Sequence, residues 1–283
     1  MTPPPSLAAR LGGLVRLSHP FPSLLDGLAT FGLALVAGAA VPDAARLGVA
    51  MTALQVAIGS VNDLHDAPAD AVAKRAKPIP SGLVPPGAAA LLAVVAAAVG
   101  IGLSVPSGWG TVAIALAGLG VGLAYDLRLK GTAWSWLPFA IGIPLLPVYA
   151  WYGATGALPA AFAVLVPAAV ATGAALAIGN ARADAERDGA SGVASIAIAL
   201  GPSRAWAVQV AILAAVGVVA IGSAVAAGAS VGQLALIGGA ALVPTLAAAA
   251  SRGLRPAALE RAWEVEAIGV AGLAVAWLWV AVA

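Results

Sequence analysis

The sequence predicts an all-α integral membrane protein with nine transmembrane helices and a cytoplasmic N-terminus. Three observations carry this expectation. Hydrophobic residues make up 61% of the chain and charged residues 9%, whereas a soluble domain holds about 45–50% and about 25%. The apolar residues gather in runs of about the 20 residues that cross a bilayer. The basic residues fall almost entirely on one side of those runs. The composition also excludes other classes. So apolar a chain is not disordered, and unbroken runs of this length do not belong to a β-barrel. With no cysteine and two histidines, disulfides, thiolate metal sites, a Cys nucleophile and a His-rich centre drop out. A net charge of +2 does not suggest a nucleic-acid partner. No cleavable signal peptide is evident in the Pro-rich stretch 1–11.

The nine runs lie at 22–40, 44–61, 87–105, 109–125, 134–152, 158–180, 204–227, 231–250 and 263–282. Small Ala and Gly residues in them suit close helix packing. Arg10 and Arg16 precede the first run. Lys74, Arg75 and Lys77 follow the second, and Arg128 and Lys130 the fourth. Arg182, Arg187 and Arg204 follow the sixth, and Arg252, Arg255 and Arg261 the eighth. Arg46 alone lies on the opposite side, so thirteen of the fourteen Lys and Arg share one face. The positive-inside bias makes that face cytoplasmic, and nine crossings put the C-terminus outside. Trp109, Trp134, Trp136, Trp151, Trp263 and Trp279 stand near run ends, as an interfacial belt does. The whole chain, 1–283, is expected to be one domain, with 1–20 as an N-terminal cytoplasmic segment.

The acidic residues are not scattered. Asn62, Asp66 and Asp70 recur at i, i+4 and i+8, one face of a helix, with Asp63 beside them. Asn180, Asp184 and Asp188 repeat the spacing after the sixth run. Four runs separate the copies, which suggests a weak internal duplication and two carboxylate faces across one cavity. Clustered, partly buried carboxylates take up protons or bind cations. An all-oxygen donor set favours a hard ion, Mg²⁺ before Ca²⁺. Lys74, Arg75, Lys77, Lys130 and Arg182 lie on the same membrane face. Asp, Mg²⁺ and Lys/Arg together are what binding and departure of a diphosphate require.

At these residues the chain resembles the UbiA superfamily of intramembrane prenyltransferases. The N-D-x-x-D-x-x-x-D motif is met by Asn62, Asp63, Asp66 and Asp70, and D-x-x-x-D by Asp184 and Asp188. Lys77 to Gly82, K-P-I-P-S-G, matches the segment that follows the first motif, with Lys for Arg. Gly192, Ser195, Leu200 and Gly201 match the sequel of the second. Tyr125 with Lys130, and Arg16 with Pro20, match two further patterns. Pro68, Ala73, Arg75 and Ala181 depart from it, and Pro68 is expected to distort or end its helix turn.

The resemblance implies a UbiA-type bundle whose central cavity opens to the cytoplasm and to lipid. An isoprenyl diphosphate would bind there, with Mg²⁺ held by Asp66, Asp70, Asp184 and Asp188 and by the amide oxygen of Asn62. Asn62, Asp63, Lys74, Arg75, Lys77, Lys130, Asn180 and Arg182 would bind the diphosphate. Ionisation would yield an allylic cation, steadied by Tyr125 and captured by an aromatic or lipid acceptor. A terpene cyclase of the same superfamily would use the same ionising machinery. From a different class, a transporter would place its charges at the midplane, and an accessory protein would keep an idle site. His65 reads as a polar interfacial residue and Glu186 as solvated. Glu260, Glu264 and Glu266 read as acids at the start of the last helix. Ser23 and Asp26 have capping-box-like spacing, so Asp26 reads as marking a helix start, with a cavity contact as the other option. Asp126 is left open.

Overall fold

The computed structural model describes residues 6–190 and 194–282, side chains at 73 and 186–190 excepted. Every regular element among them is helical. A short helix, α1 (Leu7–Leu17), leads into α2 (Pro20–Val36), α3 (Val41–Ala73), α4 (Pro86–Ser104) and α5 (Trp109–Ala124). There follow α6 (Leu137–Thr155), α7 (Phe162–Ala190), the single-turn α8 (Ile196–Leu200), α9 (Pro202–Ala226), α10 (Val231–Ala250) and α11 (Pro256–Ala281). Proline opens α2, α4, α9 and α11, where its missing N–H costs nothing.

Eight of these helices, α3 to α7 and α9 to α11, are long and apolar enough to cross a membrane among the described residues. The run expected at 22–40 is instead the 17-residue α2. It spans roughly 25 Å, short of a hydrocarbon core of about 30 Å. The segment expected as a bare N-terminal tail holds α1. Pro68 does not end its helix: α3 runs 33 residues, through Pro68 to Ala73. Pro68 is exposed, where water can take up the carbonyl that the ring leaves unbonded.

From α2 to α11, leaving out α8, each helix packs on the next, and α11 packs back on α2. The result is a closed ring. One crossing is set by glycine: a Cβ on Gly27 of α2 would meet Thr52 Oγ1 of α3 at 1.9 Å, and one on Gly48 would meet the Gly27 carbonyl at 2.8 Å. The largest apolar cluster joins Leu33, Trp151, Phe162, Leu165, Ile237, Leu273, Trp277 and Leu278. These lie at the ends of α2, α6 and α11 and the starts of α7 and α10, so they plug one end of the ring. Leu28, Val94, Val218 and Leu246 stay 59–70% exposed, as a lipid-facing wall requires. At the unplugged end α3 and α7 run on past the membrane-spanning length, and those extensions carry the acidic motifs.

Candidate active site

Inside the ring lies a cavity of about 740 Å³, within the range of small-molecule sites. Its wall follows helical periodicity. On α7 it takes Leu165, Ala168, Ala169, Thr172, Leu176, Asn180 and Asp184; on α3 it takes Met51, Leu54, Gln55, Ile58, Gly59 and Asn62. The same faces that are apolar in the interior therefore become polar at the mouth, which Lys74, Lys77 and Lys130 also line.

The acids of α3 do not act as one face; each is tied to a different neighbour. Lys77 Nζ stands 2.8 Å from Asp63 Oδ1 and 2.7 Å from Asp70 Oδ2, and both carboxylate side chains are over nine-tenths buried. His19 Nε2 lies 3.2 Å from the same Asp63 oxygen. Lys130 Nζ donates to Asp66 Oδ2, and Asn62 Nδ2 donates to Asp126 Oδ1 at 2.7 Å. Burial alone would lower the affinity of Lys77 for its proton. Hydrogen bonds and attraction from Asp63 and Asp70 outweigh that and hold its ammonium above the ordinary lysine value.

The Lys77 loop is held by packing. Ile79 and Val84 are buried with Leu17 of α1 against Leu64 and Ala67 of α3, and Arg16 Nη2 donates to the Ala76 carbonyl at 2.8 Å. Gly82 turns the chain at φ +75, a conformation that favours glycine. The K-P-I-P-S-G segment is thus a clip that presents its lysine to α3.

Tyr125 and Asp126 both line the cavity although adjacent in sequence. They open a single turn of π-helix, Tyr125–Leu129: Lys130 N bonds the Tyr125 carbonyl at 2.8 Å, and such bulges recur at functional sites. Tyr125 meets Phe139 edge-on, ring centroids 5.4 Å apart. Asp126 is 3% exposed, and its Oδ2 has no hydrogen-bond partner among the described residues.

Two expected site residues lie elsewhere. Arg182 is off the cavity, donating to Gln209 Oε1 at 2.7 Å and Ser251 Oγ at 2.9 Å; two positions from Asp184, it faces α9 and α10. Arg75 is exposed and bonds the Ala71 carbonyl. The side chain of Asp188 lies outside the described residues, as do Gly192 and the side chain of Glu186. His65 is exposed and off the mouth.

Asp26 does not mark a helix start. The residue before α2 is His19, without a side-chain cap, and Asp26 lines the cavity, accepting from Gln55 Nε2 at 2.6 Å. Glu266 is no N-terminal acid either: α11 begins at Pro256, and Glu266, 1% exposed, accepts from Gln209 Nε2 at 2.5 Å. Glu260 lines the cavity. His19 escaped the sequence reading altogether. It is the one non-glycine residue with positive φ among those described, at 47, and it packs on Gly59, where a Cβ would come within 2.8 Å of its ring.

Among the described residues no three His, Asp or Glu side chains gather into a ready metal cage. The structure therefore does not bring Asp66, Asp70 and Asp184 into one ligand set. The mouth nevertheless fits a hard cation held largely through phosphate. Its donors are all oxygen and lie on two helices across a cavity, and lysine ammonium groups already stand against Asp63, Asp66 and Asp70.

The model of the UbiA prenyltransferase family matches residues 27–281. The chain belongs to this family. As the family implies, it is an integral, multi-pass membrane protein. It is 32% identical over 119 residues to a digeranylgeranylglyceryl phosphate synthase of Methanopyrus kandleri; the match covers 42% of this chain and 44% of that relative. Two solved UbiA homologues share the fold. The apo structure of one from Aeropyrum pernix has a TM-score of 0.70 at 18% identity, over 89% of this chain and 96% of that one. One from Archaeoglobus fulgidus, bound to DMAPP and Mg²⁺, scores 0.68 at 19% identity, over 93% and 98%.

Proposed function

We propose that this UbiA family member transfers a prenyl group from an isoprenyl diphosphate to an aromatic or lipid acceptor within the membrane, with Mg²⁺ as cofactor. The observation that carries the reading is the cavity itself: an apolar chamber whose polar mouth sets Asn62 of α3 opposite Asn180 and Asp184 of α7. The Archaeoglobus homologue's DMAPP and Mg²⁺ support the same ligand classes here. The basic bias of the mouth-side loops supports a cytoplasmic opening in the cell membrane, and the whole chain is taken as one catalytic unit.

In this reading Asp66, Asp70, Asp184 and Asp188 would hold Mg²⁺, with Asn62 as a further oxygen donor. When bound there, the ion would supply charge neutralisation for a departing diphosphate. Lys77 and Lys130 turn from their carboxylates to the phosphate oxygens, and Lys74 adds a third ammonium. Asp63 keeps Lys77 positioned, and Asn180 donates from the opposite wall. The ring of Tyr125 presents its π face to the allylic cation, and the apolar walls keep water from it. Arg75 and Arg182 have no part in the step, given where their side chains lie.

Purified protein given geranylgeranyl diphosphate tests the reading. Diphosphate release should need Mg²⁺, stop with EDTA, and be abolished in Asp66→Ala and Asp184→Ala proteins that still insert. Full activity in either variant would sink the two-motif mechanism. Release without acceptor, yielding a cyclic hydrocarbon or alcohol, would move the reading to a cyclase.

A further inference from the structure

The cavity has a second polar station, away from the carboxylate mouth. Asp26 on α2 and Gln55 on α3 both line it and are joined by the 2.6 Å bond from Gln55 Nε2 to Asp26 Oδ2. Each sits seven residues from a mouth residue, Asp26 from His19, which immediately precedes α2, and Gln55 from Asn62 of α3. That is roughly 10 Å along a helix axis. The wall beside them is apolar, formed by Ala29, Met51, Leu54 and Ile58. An ionisable group there is costly and marks a functional position by default. A hydrocarbon tail offers it nothing. Among the described residues the neighbouring polar side chains of the wall have partners of their own: Thr172 Oγ1 donates to the Ala168 carbonyl, and the Tyr149 hydroxyl pairs with Ser104 Oγ. The Gln55 bond engages one carboxylate oxygen, and the second retains its capacity to accept.

We propose that the Asp26–Gln55 couple is the acceptor site: it takes the hydroxyl of a lipophilic alcohol or phenol, and Asp26 receives that group's proton. This rests on the prenyl-transfer reading above. In the step, the bond between the prenyl C1 and the diphosphate oxygen breaks, and its electron pair leaves with the diphosphate at the mouth. The acceptor oxygen bonds to C1, and its proton passes to the Asp26 carboxylate. An oxygen attacking from the side away from the leaving group starts about 3–3.5 Å beyond C1. Its proton acceptor lies about 2.6–3.2 Å further. A base is thus needed one to two helical turns below the diphosphate, the depth at which Asp26 sits. Gln55 is the positioning residue: its amide holds one carboxylate oxygen and leaves the other to the cavity.

The test separates this site from the donor site. Nanodiscs carrying wild-type, Asp26→Asn or Gln55→Leu protein are equilibrated with radiolabelled 1-O-hexadecylglycerol or its dimethyl ether, against protein-free discs. The wild type should retain the alcohol about ten-fold better than the ether, and both variants should lose that preference. A preference that survives both variants, or is absent from the wild type, overturns the proposal. Binding of geranylgeranyl diphosphate with Mg²⁺ is measured in parallel and reports that each variant is folded. Should Asp26→Asn not fold, Gln55→Leu carries the comparison. Absence of donor binding in the wild type would defeat the transfer reading, while the alcohol preference is read independently. With donor and a lipid alcohol that the wild type prenylates, Asp26→Asn should slow ether formation about 100-fold or more. An unslowed rate removes the proton-accepting role.

Discussion

Lys77→Met removes the ammonium that joins Asp63 and Asp70 at 2.8 and 2.7 Å. Methionine keeps most of the stem's packing, so the loss is chiefly electrostatic. Removing one partner of a buried ion pair costs about 3–5 kcal/mol, because a charge is left without compensation. Here the lysine side chain is 23% exposed, and Asp63 keeps His19 at 3.2 Å. Both soften the loss, to about 2–3 kcal/mol. Unfolding of the purified protein in mixed micelles, followed by circular dichroism, measures it. Lys77→Arg should recover part of the loss, and Asp70→Asn combined with Lys77→Met should cost less than the two single changes together. Donor affinity should fall as well, since a charge-assisted hydrogen bond is worth about 1.5–3 kcal/mol, roughly ten- to 150-fold. The sign with pH follows from the raised affinity of Lys77 for its proton. The contribution is fully present below the ordinary lysine value of 10.5 and is lost as pH climbs through the higher folded-state value. Wild-type stability together with wild-type donor affinity in Lys77→Met would refute the clip as both a structural and a binding device.

Three further outcomes are expected. Gly27→Ala drives a methyl into Thr52 and should destabilise by about 1–3 kcal/mol, whereas Gly120→Ala, which meets nothing within 4 Å, should be near neutral; the same unfolding assay compares them. Gln209→Leu strips Arg182 and Glu266 of their shared partner and should cost about 3 kcal/mol or more, read as a lower unfolding midpoint. Asn62→Leu leaves the buried Asp126 carboxylate without its donor and should cost about 1–3 kcal/mol, with Asn62→Asp/Asp126→Asn, which restores a donor–acceptor pair, recovering part of it.

Much was decided by the sequence alone. A helix in lipid must bond its own backbone, so long apolar runs leave few choices, and eight of the nine expected spans are helices of spanning length among the described residues. Asn62 of the first motif and Asn180 and Asp184 of the second continue the cavity-facing stripes of α3 and α7, so the motif spacing pointed to the mouth. Tertiary structure decided which residues meet there. Arg182 belongs to the second motif by position but faces α9 and α10, since two helical steps, about 200°, carry it off the stripe. Asp126 joined the site by meeting Asn62 of α3 from a π-turn, a pairing between helices that no spacing announces. His19 joined it through a left-handed backbone fitted against Gly59. Asp26 had the spacing of a capping-box partner to Ser23 and became a cavity residue because α2 begins three positions before Ser23: Pro20, not Ser23, opens the helix. Helical periodicity is local and can be read along one chain. Which side chain faces which depends on how separate helices cross, and that is set by contacts between residues far apart in the sequence.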